Sequence, residues 1–239
     1  MKTNKFFYAI FTAMLLMSSI SSFCQYFSAG ARVGMDFGSL SNFSKINLLD
    51  LNNEPGVKRN VHAGFQGGFM ATYSFNKIIG LQGELILDRK GVKVTDTYSG
   101  FSVVNEISIS YLTIPILIKI GTEIGKFKIY GILGPYIGIG LGGKATFGTI
   151  NTQVSEMDVK FSQEPKDGDN YEHLKRLDVG LAIGVEPEFK LGPGDILLDL
   201  RYNFGFLDIN NPYQKGDNYY SNANRSFGVS LGYMIPFGK

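Results

Sequence analysis

Past residue 24 the chain alternates apolar and small or polar residues with a period of two. The last segment places Phe227, Val229, Leu231, Tyr233, Ile235 and Phe237 on one face, with Ser226, Gly228, Ser230, Gly232, Met234 and Pro236 on the other. The segment before it sets Ile196, Leu198, Leu200, Tyr202, Phe204 and Phe206 against Leu197, Asp199, Arg201, Asn203 and Gly205. Before that, Leu177, Val179, Leu181, Ile183, Val185 and Phe189 oppose Asp178, Gly180, Ala182, Gly184, Glu186 and Glu188. Side chains of a strand point to alternate faces, so each segment predicts a strand with one greasy face. No helical period is sustained.

The alternation predicts eight strands, near 25–38, 60–75, 78–94, 106–121, 125–143, 174–190, 194–208 and 225–237. Tight connections fall at Asn76-Lys77, Thr122 to Ile124 and Leu191-Gly192-Pro193, and long ones at about 39–59, 95–105, 144–173 and 209–224. Alternation alone also fits a soluble sandwich. An even strand count with tight turns at one end and long loops at the other instead predicts an all-β, up-and-down, eight-stranded antiparallel transmembrane β-barrel. Open sheet edges cannot sit in lipid, so the strands must close on themselves. Phe27, Tyr73, Phe75, Phe189 and Phe237 fall toward the short-turn rim, and Phe37, Phe206 and Phe227 toward the other, as two aromatic girdles. Ile107 and Ile109 stand out of phase with Leu112, Ile114, Ile116, Ile118 and Ile120, which suggests a bulge near Tyr111 or a strand rising above the membrane.

Ahead of the strands, Lys2 and Lys5 precede an uncharged stretch from Phe6 to Phe23, with Ser21 and Ser22 near its end. This predicts a signal peptide over 1–24 and a barrel domain over 25–239. A membrane anchor is the alternative reading, and a lipoprotein signal at Cys24 is another, opposed by the bulky Phe23. Cleavage before Gln25 removes the only cysteine of the 239 residues and leaves no internal disulfide. It also takes the 23 basic residues down by two, to balance the 21 acidic ones. With no basic tract, nucleic acid is not an expected partner.

Several stretches together resemble a known family. They are Gln82-Gly83-Glu84-Leu85 with Lys90-Gly91, Tyr111 through Lys119, Gly134-Pro135-Tyr136-Ile137-Gly138, Asp178-Val179-Gly180-Leu181, Asp199-Leu200-Arg201-Tyr202, and Phe227 to Phe237. The chain resembles the PorT-like outer-membrane β-barrel proteins of Bacteroidetes over nearly its whole mature length. That resemblance implies the outer membrane of a Gram-negative cell and, more weakly, service to a protein secretion pathway. Its motifs describe a barrel type and not a reaction.

The inward face collects Arg32, Asp36, Glu84, Asp88, Lys90, Lys119, Lys128, Asp178, Glu186, Glu188, Lys190, Asp199 and Arg201. Eight strands enclose a space that side chains nearly fill, so a paired charge network is expected there and a wide pore is not. Gly138 to Lys144 mimics a phosphate-binding loop, but Ala145 stands where a Ser or Thr should follow and no helix opens there. His62, read as inward, and His173, beside Glu172 in a loop, are the candidate bases of a lipid-modifying enzyme. Such a hydrolase needs a serine and an orienting carboxylate beside the imidazole. Asp167-Gly168-Asp169-Asn170 and Gly216-Asp217-Asn218 are oxygen-rich, yet ordinary turn chemistry explains them.

The expected function is therefore a non-enzymatic barrel without cofactor or metal, bounded by outer-membrane lipid. Its long outer loops, with Tyr213, Tyr219 and Tyr220 among Asn218, Asn222 and Asn224, would meet envelope or secretion-complex proteins. A lipid-modifying enzyme and a narrow ion or solute channel are the alternatives.

Overall fold

A computed structural model describes residues 26–40, 58–98, 101–149, 155–161, 171–210 and 221–237, without side chains at 40, 58–61, 94–98, 101–105, 149 and 171–173. The predicted signal peptide lies outside these residues, as do Asp167 to Asn170, Gly216 to Asn218, Tyr213, Tyr219 and Tyr220 and the side chain of His173.

Ten strands are formed among the described residues: β1 Tyr26–Leu40, β2 Lys58–Ser74, β3 Ile79–Tyr98, β4 Phe101–Ile124, β5 Phe127–Thr149, β6 Ser155–Phe161, β7 Tyr171–Leu174, β8 Leu177–Leu191, β9 Gly194–Gly205 and β10 Asn224–Phe237. Eight of them close in the order β4-β3-β2-β1-β10-β9-β8-β5, with β4 pairing back to β5 and every neighbour antiparallel. The predicted closed barrel is thus observed. Closure satisfies the backbone groups that an open edge would leave unpaired in lipid.

The faces follow the alternation. Phe65, Phe69, Leu87, Ile116, Ile118, Ile183 and Leu231 are each at least half exposed, yet they belong to regular strands. A contiguous apolar surface of this extent is that of a protein solvated by hydrocarbon. Aromatic residues edge it: Phe27 pairs with Phe237 at 6.2 Å between ring centroids, and Phe127 stands opposite Phe189 in register. Phe27 and Phe237 share a rim with all three short connections.

Two of these turns hold a glycine with positive φ, Gly125 at 65° and Gly192 at 64°. L side chains avoid this region, which is why a two-residue hairpin turn selects glycine there. The predicted turn at Thr122 to Ile124 is accordingly corrected: β4 runs on to Ile124 and the chain reverses at Gly125-Lys126. At the third turn the Asn76 side-chain oxygen accepts from the backbone N–H of Ile78 and Ile79, at 2.7 and 2.8 Å.

The other end departs further from expectation. The segment 95–105, read as a long loop, is mostly strand, since β3 and β4 stay paired as far as Tyr98 and Phe101. The segment 144–173 is not one loop either. It continues β5 to Thr149, adds β6 antiparallel to it, and pairs β7 parallel to β6. Val159 and Leu174 from these added strands pack with Ile109 and Tyr111 in one buried cluster, flanked by Ile107 and Phe161. A cap therefore closes over the inner face of the upper wall.

The cap explains the phase of Ile107 and Ile109. Strand β4 never reverses: Ile109, Tyr111, Thr113, Leu117 and Lys119 are all buried, while Ile114, Ile116, Ile118 and Ile120 are exposed. What changes along it is the environment. In the membrane the outer face must be apolar, whereas above it the inner face is apolar because the cap covers it. The register does shift between Ser110 and Tyr111, but the extra residue is Leu141 of β5, since Ser110 pairs with Gly142 and Tyr111 with Gly140. A second bulge lies in β2, where Val61 pairs with Val92 and Gln66 with Asp88.

Candidate functional site

The barrel interior is built from alternate residues of eight strands, and its polar groups form a ladder of ion pairs. Near the short-turn end, Lys128 on β5 lies 2.8 Å from Asp195 and 3.8 Å from Glu188. Lys119 on β4 sits between Glu188, at 2.5 Å, and Glu186, with its ammonium 4.6 Å from the centre of the Tyr130 ring. In the next layer Arg201 on β9 grips Glu84 on β3 with both terminal nitrogens, at 2.9 and 2.8 Å, and reaches Asp199 at 2.6 Å. Arg32 on β1 completes the square, 2.9 Å from Asp199 and 3.6 Å from Glu84. Gln82 joins the two layers by donating to Glu84 at 2.7 Å and Glu186 at 3.1 Å, while Thr72 donates to its oxygen at 2.8 Å.

Higher still, Lys90 lies 3.3 Å from Asp88 and 3.5 Å from Asp178, between the rings of Tyr136 and Tyr111. Thr113 donates to Asp88 at 3.0 Å, Asn224 to Asp178 at 2.9 Å, and Ser226 to Asp36 at 3.0 Å. A buried charge is tolerated only when partners replace its water.

Twelve of the thirteen residues placed inward by sequence are buried here: Arg32, Asp36, Glu84, Asp88, Lys90, Lys119, Lys128, Asp178, Glu186, Glu188, Asp199 and Arg201. Lys190 is exposed. It has the inward phase, but it lies one residue from the end of β8, where the wall gives way to the Gly192 turn and water. Asp195, which the sequence reading missed, supplies the counter-charge to Lys128 instead. Extending the Leu197, Asp199 face by one step would have found it. The uncharged partners Gln82, Thr113 and Ser226 lay on inward positions too, but nothing in their spacing marks which charge each one meets. Asn222 and Asn224, read from sequence as outer-loop contact residues, are corrected, since both are buried and Asn224 donates to Asp178.

Carboxylate oxygens of Glu84, Glu186 and Asp199 come within 4.8 Å of one another. Arg32, Arg201 and Lys119 already neutralise them, so the chain's own cations stand where a metal would have to bind. The glycine run Gly138 to Gly143 lies within β5, and its lysine, Lys144, pairs with Glu156 at 2.9 Å on the exposed outer end, which raises the lysine pKa. Gly140 is bare because Phe161 of the cap packs against it: an added Cβ would stand 2.6 Å from that ring. Close packing, not phosphate, explains the glycine.

His62 keeps the inward phase of β2: it stands opposite Gly38 of β1, alternates with exposed Ala63 and is 8% exposed, because its ring is buried between β2 and β3. The bulge of β2 carries its ring over Gly91, whose own Cβ would meet the imidazole Cδ2 at 3.0 Å. Gly91 alternates with buried Lys90 and Val92, so the ring occupies the outer face of β3. There Nδ1 lies 3.1 Å from Glu106 and Nε2 lies 3.4 Å from the Ser108 hydroxyl.

Comparison with known proteins agrees with this architecture. The profile of the outer membrane protein beta-barrel domain matches residues 17–211. Among solved structures, the outer membrane protein OprG from Pseudomonas aeruginosa is 17% identical, covers 92% of this chain and 99% of its own, and superposes with a TM-score of 0.50. Neisserial surface protein A is 16% identical over 88% of this chain and 97% of its own, with a TM-score of 0.40. A major outer membrane protein from Thermus thermophilus is 13% identical over 90% of this chain and 100% of its own, with a TM-score of 0.47. At 17% identity the likeness to OprG is one of fold alone. No curated protein matches the sequence. The matched profile, the closed eight-stranded wall and its apolar outer surface together make this chain a member of the outer membrane protein beta-barrel domain family.

Proposed function

We propose that this protein serves the outer membrane as a scaffold that works by contact at its outer end, with envelope or secretion-complex proteins as partners, and not by passing solutes through its lumen. The observation that carries this reading is the lumen itself. Glu84, Glu186, Asp199 and Arg201 are almost wholly buried in mutual pairs, and Ile109, Tyr111, Val159 and Leu174 pack above them. A conducting path needs mobile water and weakly held ions, whereas these charges hold each other. Recognition would then fall to the outer connections, which a rigid wall presents to the surroundings.

The resemblance of Tyr111 through Lys119 and of Asp199-Leu200-Arg201-Tyr202 to PorT-like barrels supports a secretion complex as the partner. The test uses the full-length protein. In planar bilayers it should show no stepwise conductance, and cross-linking in cells should join it to an envelope protein. Replacing 211–220 with a Gly-Ser linker should abolish that cross-link while leaving the heat-modifiable gel mobility of the barrel intact. Stepwise conductance would return the function to the lumen.

A further inference from the structure

We propose that the outer wall of the barrel carries an acyl-ester hydrolase site, with Ser108 as nucleophile, His62 as its base and Glu106 as a positioning residue, acting on the fatty acyl esters of membrane lipids. This goes beyond the scaffold reading and rests on a different part of the molecule.

The geometry has the order that nucleophilic catalysis requires. The Glu106 oxygen Oε1 lies 3.1 Å from His62 Nδ1, and His62 Nε2 lies 3.4 Å from Ser108 Oγ. When Nδ1–H donates to the carboxylate, the lone pair of Nε2 is left facing the hydroxyl, which is the tautomer a general base needs. The Ser–His separation is long for a ground-state hydrogen bond and belongs to the range that tightens when substrate binds. Lys93 lies 3.5 Å from Glu106 Oε2, the carboxylate oxygen turned away from the imidazole.

Three features of the fold are needed to assemble this group. Glu106 and Ser108 are two apart on β4, so they share a face. His62 comes from β2, a strand further away, and must cross β3 to reach them. It crosses at Gly91, which pairs in register with Ser108 and offers no side chain to obstruct the ring. His62 keeps the inward phase of its strand, opposite Gly38, and beside the bulge between Val61 and Gln66 that inner face lies against the outer side of β3 at Gly91, so the ring is buried between the two strands. Each device has a structural cost, and all three meet at one imidazole.

The location selects the substrate. Ser108 alternates with Ile107 and Ile109, which face the cap, so it shares the outer face with Ile114, Ile116, Ile118 and Ile120. Going up that face, Leu87 pairs with Leu112, then Arg89 with Ser110, then Gly91 with Ser108, then Lys93 with Glu106. The candidate site therefore begins two register steps above the last apolar pair, where acyl esters, headgroups and water meet. Arg89 and Lys93 place cations on the same face, suited to lipid phosphates.

The reaction balances without a further reagent than water. Ser108 Oγ attacks the ester carbonyl as its proton passes to His62 Nε2, giving a tetrahedral oxyanion. The bond to the glycerol or sugar oxygen then breaks, and His62 returns the proton to that oxygen. Water, deprotonated by His62, attacks the acyl-serine, releasing a fatty acid and restoring Ser108.

A purely structural alternative is that the three residues pin the β2 bulge, and the experiment separates the two. Full-length protein is refolded in detergent, with heat-modifiable gel mobility as the folding control, and treated with a fluorophosphonate probe. Labelling should map to Ser108 and disappear in Ser108→Ala and His62→Ala, but persist in Ser110→Ala. Turnover is followed on phosphatidylglycerol vesicles and, separately, on lipid A, and release of fatty acid from one or the other identifies the source. His62→Ala should lower kcat by about 10²–10⁴-fold. Glu106→Gln should lower kcat with KM unchanged and displace the pH profile, which a mere bulge pin would not do. Folded protein that the probe leaves unlabelled at Ser108, or that releases fatty acid from neither lipid, overturns the proposal and leaves the scaffold reading untouched.

Discussion

Arg201 and Glu84 face each other across the barrel axis, joined by two parallel hydrogen bonds of 2.9 and 2.8 Å. Their strands, β9 and β3, are four places apart in a ring of eight, so the pair ties diametrically opposite walls. Planar, bidentate contact of this kind suits arginine and carboxylate and not lysine. Arg201→Met should cost about 3–5 kcal/mol, because it leaves the Glu84 and Asp199 charges buried with weakened compensation. Adding Glu84→Met should restore part of that loss. Urea unfolding in detergent, run as a double-mutant cycle, measures both, and additive single effects would show that the two side chains do not interact.

Leu231 and Ser230 are neighbours on β10 with opposite fates, the first 56% exposed and the second 2%. Leu231→Arg puts a charge toward lipid and should destabilise the barrel by about 2–4 kcal/mol near the midplane. Ser230→Ala should be close to neutral, since its buried hydroxyl has no hydrogen-bond partner among the described residues. Folding yields into lipid vesicles compare them, and equal tolerance would mean the inward and outward phases are misassigned. Gly205, also inward, is unsuitable for this comparison: a Cβ there would stand 2.7 Å from the Asn224 carbonyl.

The cap is tested through Ile109, which is 3% exposed beneath Val159 and Leu174. In a Cys24→Ser background, Ile109→Cys should resist a water-soluble maleimide. Adding Val159→Asp should make it react at least tenfold faster, because a carboxylate cannot remain in that apolar cluster. Fast labelling of the single cysteine variant would show that the mouth is open. A deletion of 150–170 is a poor substitute, since it removes β6 and with it the packing of Val159.

Gly125 and Gly83 both have open space where a Cβ would go, but only Gly125 has a positive φ, of 65°. Gly125→Ala should therefore cost about 1–2 kcal/mol from backbone strain alone. Gly83→Ala should be neutral or stabilising by up to about 1 kcal/mol, through the smaller entropy of the unfolded chain. Unfolding midpoints of the two variants decide, and equal effects would remove the strain argument.

What could be read from the sequence was whatever depends on a single strand and its solvent. The period of two assigned Leu200, Leu231 and Ile118 to lipid and Glu84, Asp199 and Arg201 to the lumen, because a strand in hydrocarbon must segregate its faces. The turn at Gly192 was legible for the same local reason, as only glycine enters that backbone region cheaply. Tertiary structure decided what depends on relations between strands. The segment 144–173 is polar enough to read as a loop, and only β5 and the Ile109–Tyr111 surface make β6 and β7 worth ordering. That Lys128, and not Lys190, is the cation paired with Asp195 follows from where the wall ends. His62 was legible as inward on β2, but that its ring would lie against the outer side of β3 was not, because β2 carries one residue more than β3 between two register points and nothing in the local pattern marks the surplus. Its meeting with Ser108 and Glu106 required the intervening strand to be bare at Gly91, a condition that exists only once the strands are side by side.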